Sequence, residues 1–487
     1  MRDLPVFPDL RAFLAHAEAG GDLLRIAEPV ALAQEMTAVE LLALRRGGPV
    51  LRFDQPTGGG RLPVVANLFG TRARVAAGLG VRPDGVADLG AFLAALRSPA
   101  PVRGLGDALS RWPMLRAALM TRPARLRRPP VQAETLPDLT ALPVQTPWPE
   151  DAGPLITWPV VITRPPEDDD LAAYNLGVYR AQVIGPDRLI LRWLAHRGGA
   201  AHYRAWMATG QPMPVAVALG CDPALLLSAA LPLPETVSEL TFSGVLRGAR
   251  VEVARARTVP LTIPARAEIV VEGWLHPGET APEGPFGDHT GYYNAAEPFP
   301  VMRVSRITCR RDPLYLSTVT GRPPDEPSVI GEVFNDLALP VIRAQIPEVR
   351  DFWLPPAACS YRIAVVKIAK RYPGQARRVM LALWGMLPQF SYTKMIVVVD
   401  EDVDARNWDD VLWALSTRYD PGRDTVTLTD TPMDYLDFAS PKEGLAGKIG
   451  LDATTKIGAE TSRDWGRVMT LSPEHLARAE SLLGGGP

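Results

Sequence analysis

The segment ETAPEGPFGDHTGYYN (residues 279–294) holds Glu283 and Asp288 five residues apart, on backbone punctuated by Pro282, Gly284, Pro285 and Gly287. That punctuation predicts neither regular helix nor regular strand, and it serves to aim side chains. Two carboxylates on a rigid loop near an arginine can hold different protonation states. The one beside the guanidinium stays ionised, and the one in drier surroundings carries a proton near neutral pH. Such a pair suits proton delivery to a developing carbanion. The plainer alternative is a polar surface turn.

A second set lies in YNLGVYRAQVIGPDRLILRWLAHRGGAAHYRAWMATG (174–210), where two apolar strands flank the turn Gly185-Pro186-Asp187. Asn175 and Arg180 fall at opposite parity on a regular strand, so they share a cavity only if the backbone is irregular near Gly177. Arg192, His196 and Arg197 cluster ahead of Gly198-Gly199 and a helix. Cations beside a glycine-rich helix start form a phosphate seat; an ordinary hairpin with solvated arginines is the alternative. Glu239, in PETVSELTFSGVLRG (234–248), precedes a strand-like apolar stretch. Alone it reads as a capping or surface acid. With Asn175 and His196 it makes an amide, imidazole and carboxylate set that suits Mn²⁺ or Mg²⁺ better than zinc.

The elements that must position these groups follow from pattern. Residues 9–19 have helical spacing and stop at Gly20-Gly21; PVLRFDQ and RLPVVANLF read as strands, RARVAAGLG and DLGAFLAALRS as helices. A basic, proline-rich stretch from Thr121 reads as a linker with a solvated surface. From about residue 156, strands separated by Gly/Pro/Asp turns indicate a barrel or sandwich. After TGRPPDEP a helical stretch leads into a βαβα run, the mark of a parallel sheet. The order is α/β, then β-barrel, then α/β, with divisions at 1–112, 113–322 and 323–487.

The 487 residues carry 52 basic and 54 acidic side chains, a net charge of −2 that gives no bulk field for nucleic acid. Three scattered cysteines have no metal-type spacing and fit a reduced, cytoplasmic setting. No secretory signal or membrane-spanning run is expected. A flavin-dependent oxidoreductase on the same barrel would need a nicotinamide site, and no Gly-x-Gly-x-x-Gly follows a strand-like run.

PEGPFGDHTGYY, WLAHRGGA, YNLGVYRAQ, TGRPPDEPSVIGEVFND and DYLDFASP, with FPDLRAFL near the start and LPVQTPWPEDAGPLITWPVVITR in the middle, closely resemble the UbiD family of decarboxylases. The resemblance runs along nearly the whole chain and is strongest to members that decarboxylate 3-polyprenyl-4-hydroxybenzoate in ubiquinone biosynthesis. It implies a split β-barrel, similar to flavin reductases, between two α/β units. It implies prenylated FMN, made by a separate flavin prenyltransferase and held through Mn²⁺ and K⁺, and a homo-oligomer (hexamer or dimer). Metal ligands fall by resemblance on Asn175, His196 and Glu239. Cofactor contacts fall on Val178, Tyr179, Arg180, Arg192, Trp193, Leu194, Arg197, Gly198 and Lys394. The catalytic network falls on Glu283, Arg180 and Asp288. Members acting on acrylic acids carry Glu at the last position, so Asp288 points to the hydroxybenzoate branch, with an unprenylated aromatic acid as the alternative. A polyprenylated substrate implies a cytoplasmic enzyme that visits the inner face of the membrane. The reaction needs an electron sink that no side chain offers, so a cofactor must supply it.

Overall fold

The computed structural model describes residues 3–97, 112–194, 198–231, 233, 237–386 and 388–483. The first helix, Leu10–Ala19, is capped by the Asp9 side chain and ends at Gly20, before Gly21 at φ +71°. Its buried face packs beside a sheet ordered Leu23–Ala31, Val50–Thr57, Val64–Ala66 and Tyr315–Leu316. The last of these strands comes from the far end of the barrel, so the N-terminal sheet is stitched to it. Fully buried Glu268 adds a second tie, taking both carboxylate oxygens to Arg11 at 2.9 and 2.8 Å.

The stretch read as a linker is built into the fold instead. Ala124–Arg125 pairs with Glu252–Arg255, and Glu134–Leu136 pairs with the long strand Glu297–Cys309. Only its arginines behave as the composition suggests, since Arg122, Arg125, Arg127 and Arg128 are exposed.

The central sheet is antiparallel and curled. Its path runs Leu155–Ile156, Ala181–Gly185, Arg188–Leu191, Glu297–Cys309, Ile269–Glu283, Met213–Leu219, Val160–Thr163, Asn175–Val178. Every residue of Met213–Leu219 is buried. The two longest strands pair with irregularities at Glu272/Gly273 and Leu275/Thr280, and such bulges bend a sheet toward closure. Asn175–Val178 lies at one end of the path and Ala181–Gly185 is second from the other. Only Tyr179 and Arg180 separate them, so the chain itself crosses the split.

Two expectations change here. Residues 280–283 are not irregular: they complete the strand Ile269–Glu283, pairing with 297–300. Pro282 lies opposite Pro298, and a non-hydrogen-bonded pair is the position where neither ring removes a ladder bond. The apolar stretch after Glu239 is a helix, Glu239–Arg247, begun after Ser238 and stopped by left-handed Gly248 at φ +66°.

A helix at Glu326–Gln345 links barrel to C-terminal domain. It opens with a capping box between Asp325 and Ser328. Gly90 lets the helix Val86–Arg97 approach it, since a Cβ there would lie 2.8 Å from the Leu337 carbonyl oxygen. The C-terminal sheet runs Val349–Trp353, Ile363–Ile368, Met395–Val399, Leu445–Ala453, Thr425–Pro432, with its three central strands parallel. Among the described residues no helix is long and apolar enough to cross a membrane.

Candidate active site

Arg180 occupies the two-residue break between the strands that border the split. Gly177 makes the local turn possible, because a Cβ there would meet the Tyr179 ring at 2.4 Å. Arg180 therefore leaves the strand's alternation and reaches the end of Ile269–Glu283. Its Nε and Nη2 donate to Glu283 at 2.8 and 3.1 Å, Nη1 donates to Asp288 at 2.8 Å, and Nη2 also donates to Asn294 at 2.7 Å. Phe286 lies beneath the guanidinium, 5.4 Å from ring centroid to Cζ.

Glu283 has no exposed surface and is shared: Arg192 Nη1 donates to its Oε2 at 2.8 Å, and Arg192 Nη2 donates to Glu297 at 2.9 Å. Arg192 is held flat between Phe299 and Tyr435, at 4.7 and 5.0 Å. Asp288 Oδ1 faces His289 Nδ1 at 2.8 Å. Burial alone would raise the Asp288 carboxyl, but the hydrogen bond from His289 and the charge of Arg180 outweigh it and hold it down at about 2. Burial alone would likewise lower His289, yet Asp288 brings its pKa above the ordinary imidazole value.

The expectation that the guanidinium would favour one carboxylate over the other is therefore corrected. Arg180 binds both, and the drier one, Glu283, has two cations. The pair thus favours the proton on His289 over Asp288: the carboxyl is held low and the imidazole is raised. With His289 charged, Arg180, Arg192 and His289 balance Glu283, Asp288 and Glu297.

Beside Arg180 and Asp288 lies a cavity of about 80 Å³, walled by Trp148, Leu155, Thr157 and Thr320 among others. The Trp148 indole fills space left by Gly287 and Gly321, where Cβ atoms would meet it at 2.3 and 2.6 Å, and its Nε1 donates to the Thr320 carbonyl at 2.9 Å. Asp151 fixes this wall by accepting from Trp148 N at 2.7 Å and Gly287 N at 2.9 Å.

The second cluster forms where the helix Gly198–Thr209 begins. A Cβ on Gly198 would sit 2.1 Å from Asn175 Oδ1, and one on Gly199 would press on Trp193 and Tyr179 at 3.0 and 3.1 Å. Asn175 Nδ2 lies 3.3 Å from the Tyr179 hydroxyl. Glu239 reaches the same strand, accepting from Leu176 N at 2.8 Å. Burial pushes its pKa up to about 7, and no cation is paired with it among the described residues. Trp193 Nε1 is buried there without a hydrogen-bond partner among the described residues. Val178 and Leu194 flank this cluster, half-buried.

His196 and Arg197 lie outside the described residues. No group of three or more His, Cys, Asp or Glu arranged to hold a metal occurs among the described residues. Lys394 is not bonded to the Arg180 cluster: its Nζ pairs with Asp437 at 2.7 Å, two residues beyond Tyr435. His289, Asn294, Asp151 and Tyr435 belong to the site but were not singled out from sequence. His289 and Asn294 sat in the quoted loop, and adjacency to Asp288 was the available signal. Nothing in the sequence ties Tyr435 to Arg192.

Chemically, the cluster offers a pre-organised cation between two carboxylates, with an imidazole bonded to one of them, facing a small cavity. Three family models match the chain in order. They are the 3-octaprenyl-4-hydroxybenzoate carboxy-lyase N-terminal domain over residues 14–93, the Rift-related domain over 123–323, and the C-terminal domain over 328–453. Among solved structures, the UbiD-class enzyme HmfF from Pelotomaculum thermopropionicum, in complex with FMN, is 30% identical with a TM-score of 0.79, covering 96% of this chain and 99% of its own. The Sedimentibacter hydroxybenzoicus vanillic acid decarboxylase in closed form is 26% identical with a TM-score of 0.83, covering 99% and 100%. The fold also matches the Klebsiella pneumoniae 3,4-dihydroxybenzoic acid decarboxylase, 24% identical with a TM-score of 0.78 over 97% and 99%. The curled half-barrel between two α/β units is the architecture these models and structures share, and the chain belongs to the UbiD family of carboxy-lyases.

Proposed function

We propose that this protein decarboxylates an aromatic acid with prenylated FMN, and that the acid is a 3-polyprenyl-4-hydroxybenzoate of ubiquinone biosynthesis. The observation that carries the reading is Arg180 held between Glu283 and Asp288 at the wall of a small cavity. When bound, the modified flavin supplies the electron sink for the electrons left by CO₂. The chain's own residues do the rest. Arg180 and Arg192 fix Glu283 and orient the acid, the Trp148 wall excludes water, and Asp288 delivers a proton to the carbon that has lost CO₂. A relative from Pelotomaculum has been seen with prenylated FMN, which supports this choice of cofactor.

The residues at the Gly198 helix start fit the flavin phosphate and its cations. Gly198 and Gly199 let the helix start close on Asn175, Trp193 and Tyr179, and among the described residues Trp193 Nε1 has no acceptor and Glu239 no cation, so a ligand offering both would be held there. Val178, Tyr179, Leu194 and Arg197 would line the cofactor, Asn175, His196 and Glu239 would ligate Mn²⁺ with K⁺ alongside, and Lys394 would face the phosphate. Glu239→Ala is accordingly expected to purify with little flavin and little Mn²⁺. Metal analysis and the flavin absorbance of the purified protein check it, and normal content of both removes Glu239 from the ligand set.

The cavity, about 80 Å³, favours a second reading as well. It lies below the roughly 300–1,000 Å³ of ordinary ligand pockets. A single-ring acid without a tail suits that size, whereas a polyprenyl chain needs the C-terminal domain to stand away from the barrel. CO₂ release from a panel of prenylated and unprenylated hydroxybenzoates separates the two; release from none of them, by flavin-loaded protein, refutes both.

The proposal includes units at 1–112, 113–322 and 323–487, a homo-oligomer, and a flavin prenyltransferase as cofactor source. It places the enzyme in the cytoplasm at the inner membrane face. Exposed Trp112, Leu115 and Leu119 on the helix Trp112–Met120, beside the exposed arginines that follow, support the membrane visit.

A further inference from the structure

His289 stands where three parts of the fold meet. On the barrel loop its Nδ1 lies 2.8 Å from Asp288 Oδ1, while Asp288 Oδ2 is occupied by Arg180 at 2.8 Å. Asp434, in the C-terminal domain, and Asp325, at the start of the linking helix, act on the imidazole through space. Asp434 is itself fixed, accepting from the Tyr361 hydroxyl and from Leu436 N, both at 2.8 Å, with Arg362 at 3.8 Å. The His289 Nε2 atom is buried without a partner among the described residues. The same C-terminal segment grips the barrel at two further points, Tyr435 on Arg192 at 5.0 Å and Phe438 on Tyr292 at 5.7 Å.

Among the described residues, the imidazole is the proton-exchanging side chain hydrogen-bonded to Asp288. Its carboxylate is held ionised, and the oxygen not committed to Arg180 faces an imidazole. Asp288 touches that imidazole, and Asp325 and Asp434 act on it through space, Asp434 from the C-terminal domain. Of the charged neighbours, Asp288, Asp325 and Asp434 favour the imidazolium, and Arg180 and Arg362 oppose it.

We propose that His289 stores the proton that Asp288 delivers, and that Asp434 keeps this store filled only while the C-terminal domain is docked on the barrel. The proposal rests on Asp288 being the proton donor of the decarboxylation. In the step, the Nδ1–H bond breaks as an O–H bond forms at Asp288 Oδ1. That proton then makes the new C–H bond on the ring carbon, taking the electron pair of the broken C–C bond. Solvent returns one proton to the imidazole for each CO₂ released. Docking thus couples closure of the site to readiness for protonation, and an undocked domain leaves Asp288 with nothing to pass on.

The sign follows from the imidazole's raised pKa: the store is full below that value and empties as pH rises through it, so it sets an alkaline limit on turnover. The chain has six histidines, few enough to follow each by NMR, with His289 identified by the resonance lost in His289→Asn. In Asp434→Asn, the His289 titration midpoint and the alkaline limb of kcat should both move to lower pH, with bound flavin unchanged. In flavin-loaded His289→Asn, kcat should fall by roughly 10²-fold or more and lose that limb. An unmoved His289 midpoint in Asp434→Asn overturns the gating. Near-normal turnover with an unchanged limb in His289→Asn overturns the store. Should wild-type protein release no CO₂ from any aromatic acid, the decarboxylase reading fails and the store with it. The NMR midpoints still decide independently whether Asp434 holds His289 charged. If His289→Asn does not fold, His289→Gln supplies the assignment, and the two shifts in Asp434→Asn decide.

Discussion

Arg180→Ala is expected to abolish measurable CO₂ release and to strip most of the flavin from the purified protein. The guanidinium makes four hydrogen bonds, to Glu283 twice, to Asp288 and to Asn294, and no other group reaches all three partners. Without it Glu283, fully buried, keeps only Arg192, and Asp288 loses its cation. Removing one partner from a buried ion pair costs about 3–5 kcal/mol, chiefly because the other charge is left uncompensated. The variant should therefore also melt lower, and its Asp288 carboxyl should titrate higher than in the wild type. Arg180→Lys should recover little, because an ammonium cannot bridge two carboxylates with a planar fork. Flavin absorbance, melting temperature and CO₂ release on the same preparations check this. A flavin-replete Arg180→Ala protein that turns over normally would remove Arg180 from the chemistry.

Asp288→Asn should behave differently. The amide keeps the shape of the side chain and its Oδ1 can still accept from Arg180, so cofactor and fold should survive. Turnover should fall by about 10²–10⁴, the range credited to a positioned acid–base group. Reaction in deuterated water with the wild type should place deuterium at the position vacated by CO₂. A purely structural role predicts another pattern: flavin is lost, and activity falls only in proportion to the flavin retained. The pH dependence of stability supplies an independent readout. A carboxyl held at about 2 stabilises the fold at pH values above the ordinary carboxylate range, and that contribution is lost as pH falls through the acid range toward 2. Acid unfolding of Asp288→Asn should accordingly begin from a lower stability at neutral pH and fall less steeply.

Element order was legible in the sequence because periodicity and punctuation agree almost everywhere. The helix Leu10–Ala19 was framed by Asp9 and Gly20-Gly21, and the parallel strands Ile363–Ile368 and Met395–Val399 are short apolar runs joined by a helical pattern. Reading failed where local preference and tertiary context part. Thr241, Phe242 and Val245 favour extended backbone, yet the left-handed stop at Gly248 and a face buried at Leu240, Ser243 and Leu246 make the segment helical. Pro282 argued against a strand and is tolerated because another proline faces it.

In the site, Arg180, Glu283 and Asp288 could be named because they are charged, closely set among glycines and prolines, and part of a family motif. Their relative protonation could not, because it depends on which oxygen meets which nitrogen. Tyr435 and Asp151 sat in DYLDFASP and LPVQTPWPEDAGPLITWPVVITR without a role, because common residue types on remote segments acquire one only when the chain closes around Arg192 and Trp148.

The two residues that cross the split also act as a hinge pin with no slack. A sheet edge held by hydrogen bonds can fray, but the lips beside Arg180 are joined by peptide bonds. From Val178 to Ala181 the chain has three steps, which reach about 10–11 Å when fully extended. The seam therefore cannot gape there to admit anything as bulky as a flavin. On the other side, Tyr435 and Phe438 of the C-terminal domain lean on Arg192 and Tyr292. There the domains meet through a pair of aromatic contacts, which can be undone and remade without disturbing the two-residue link that carries Arg180.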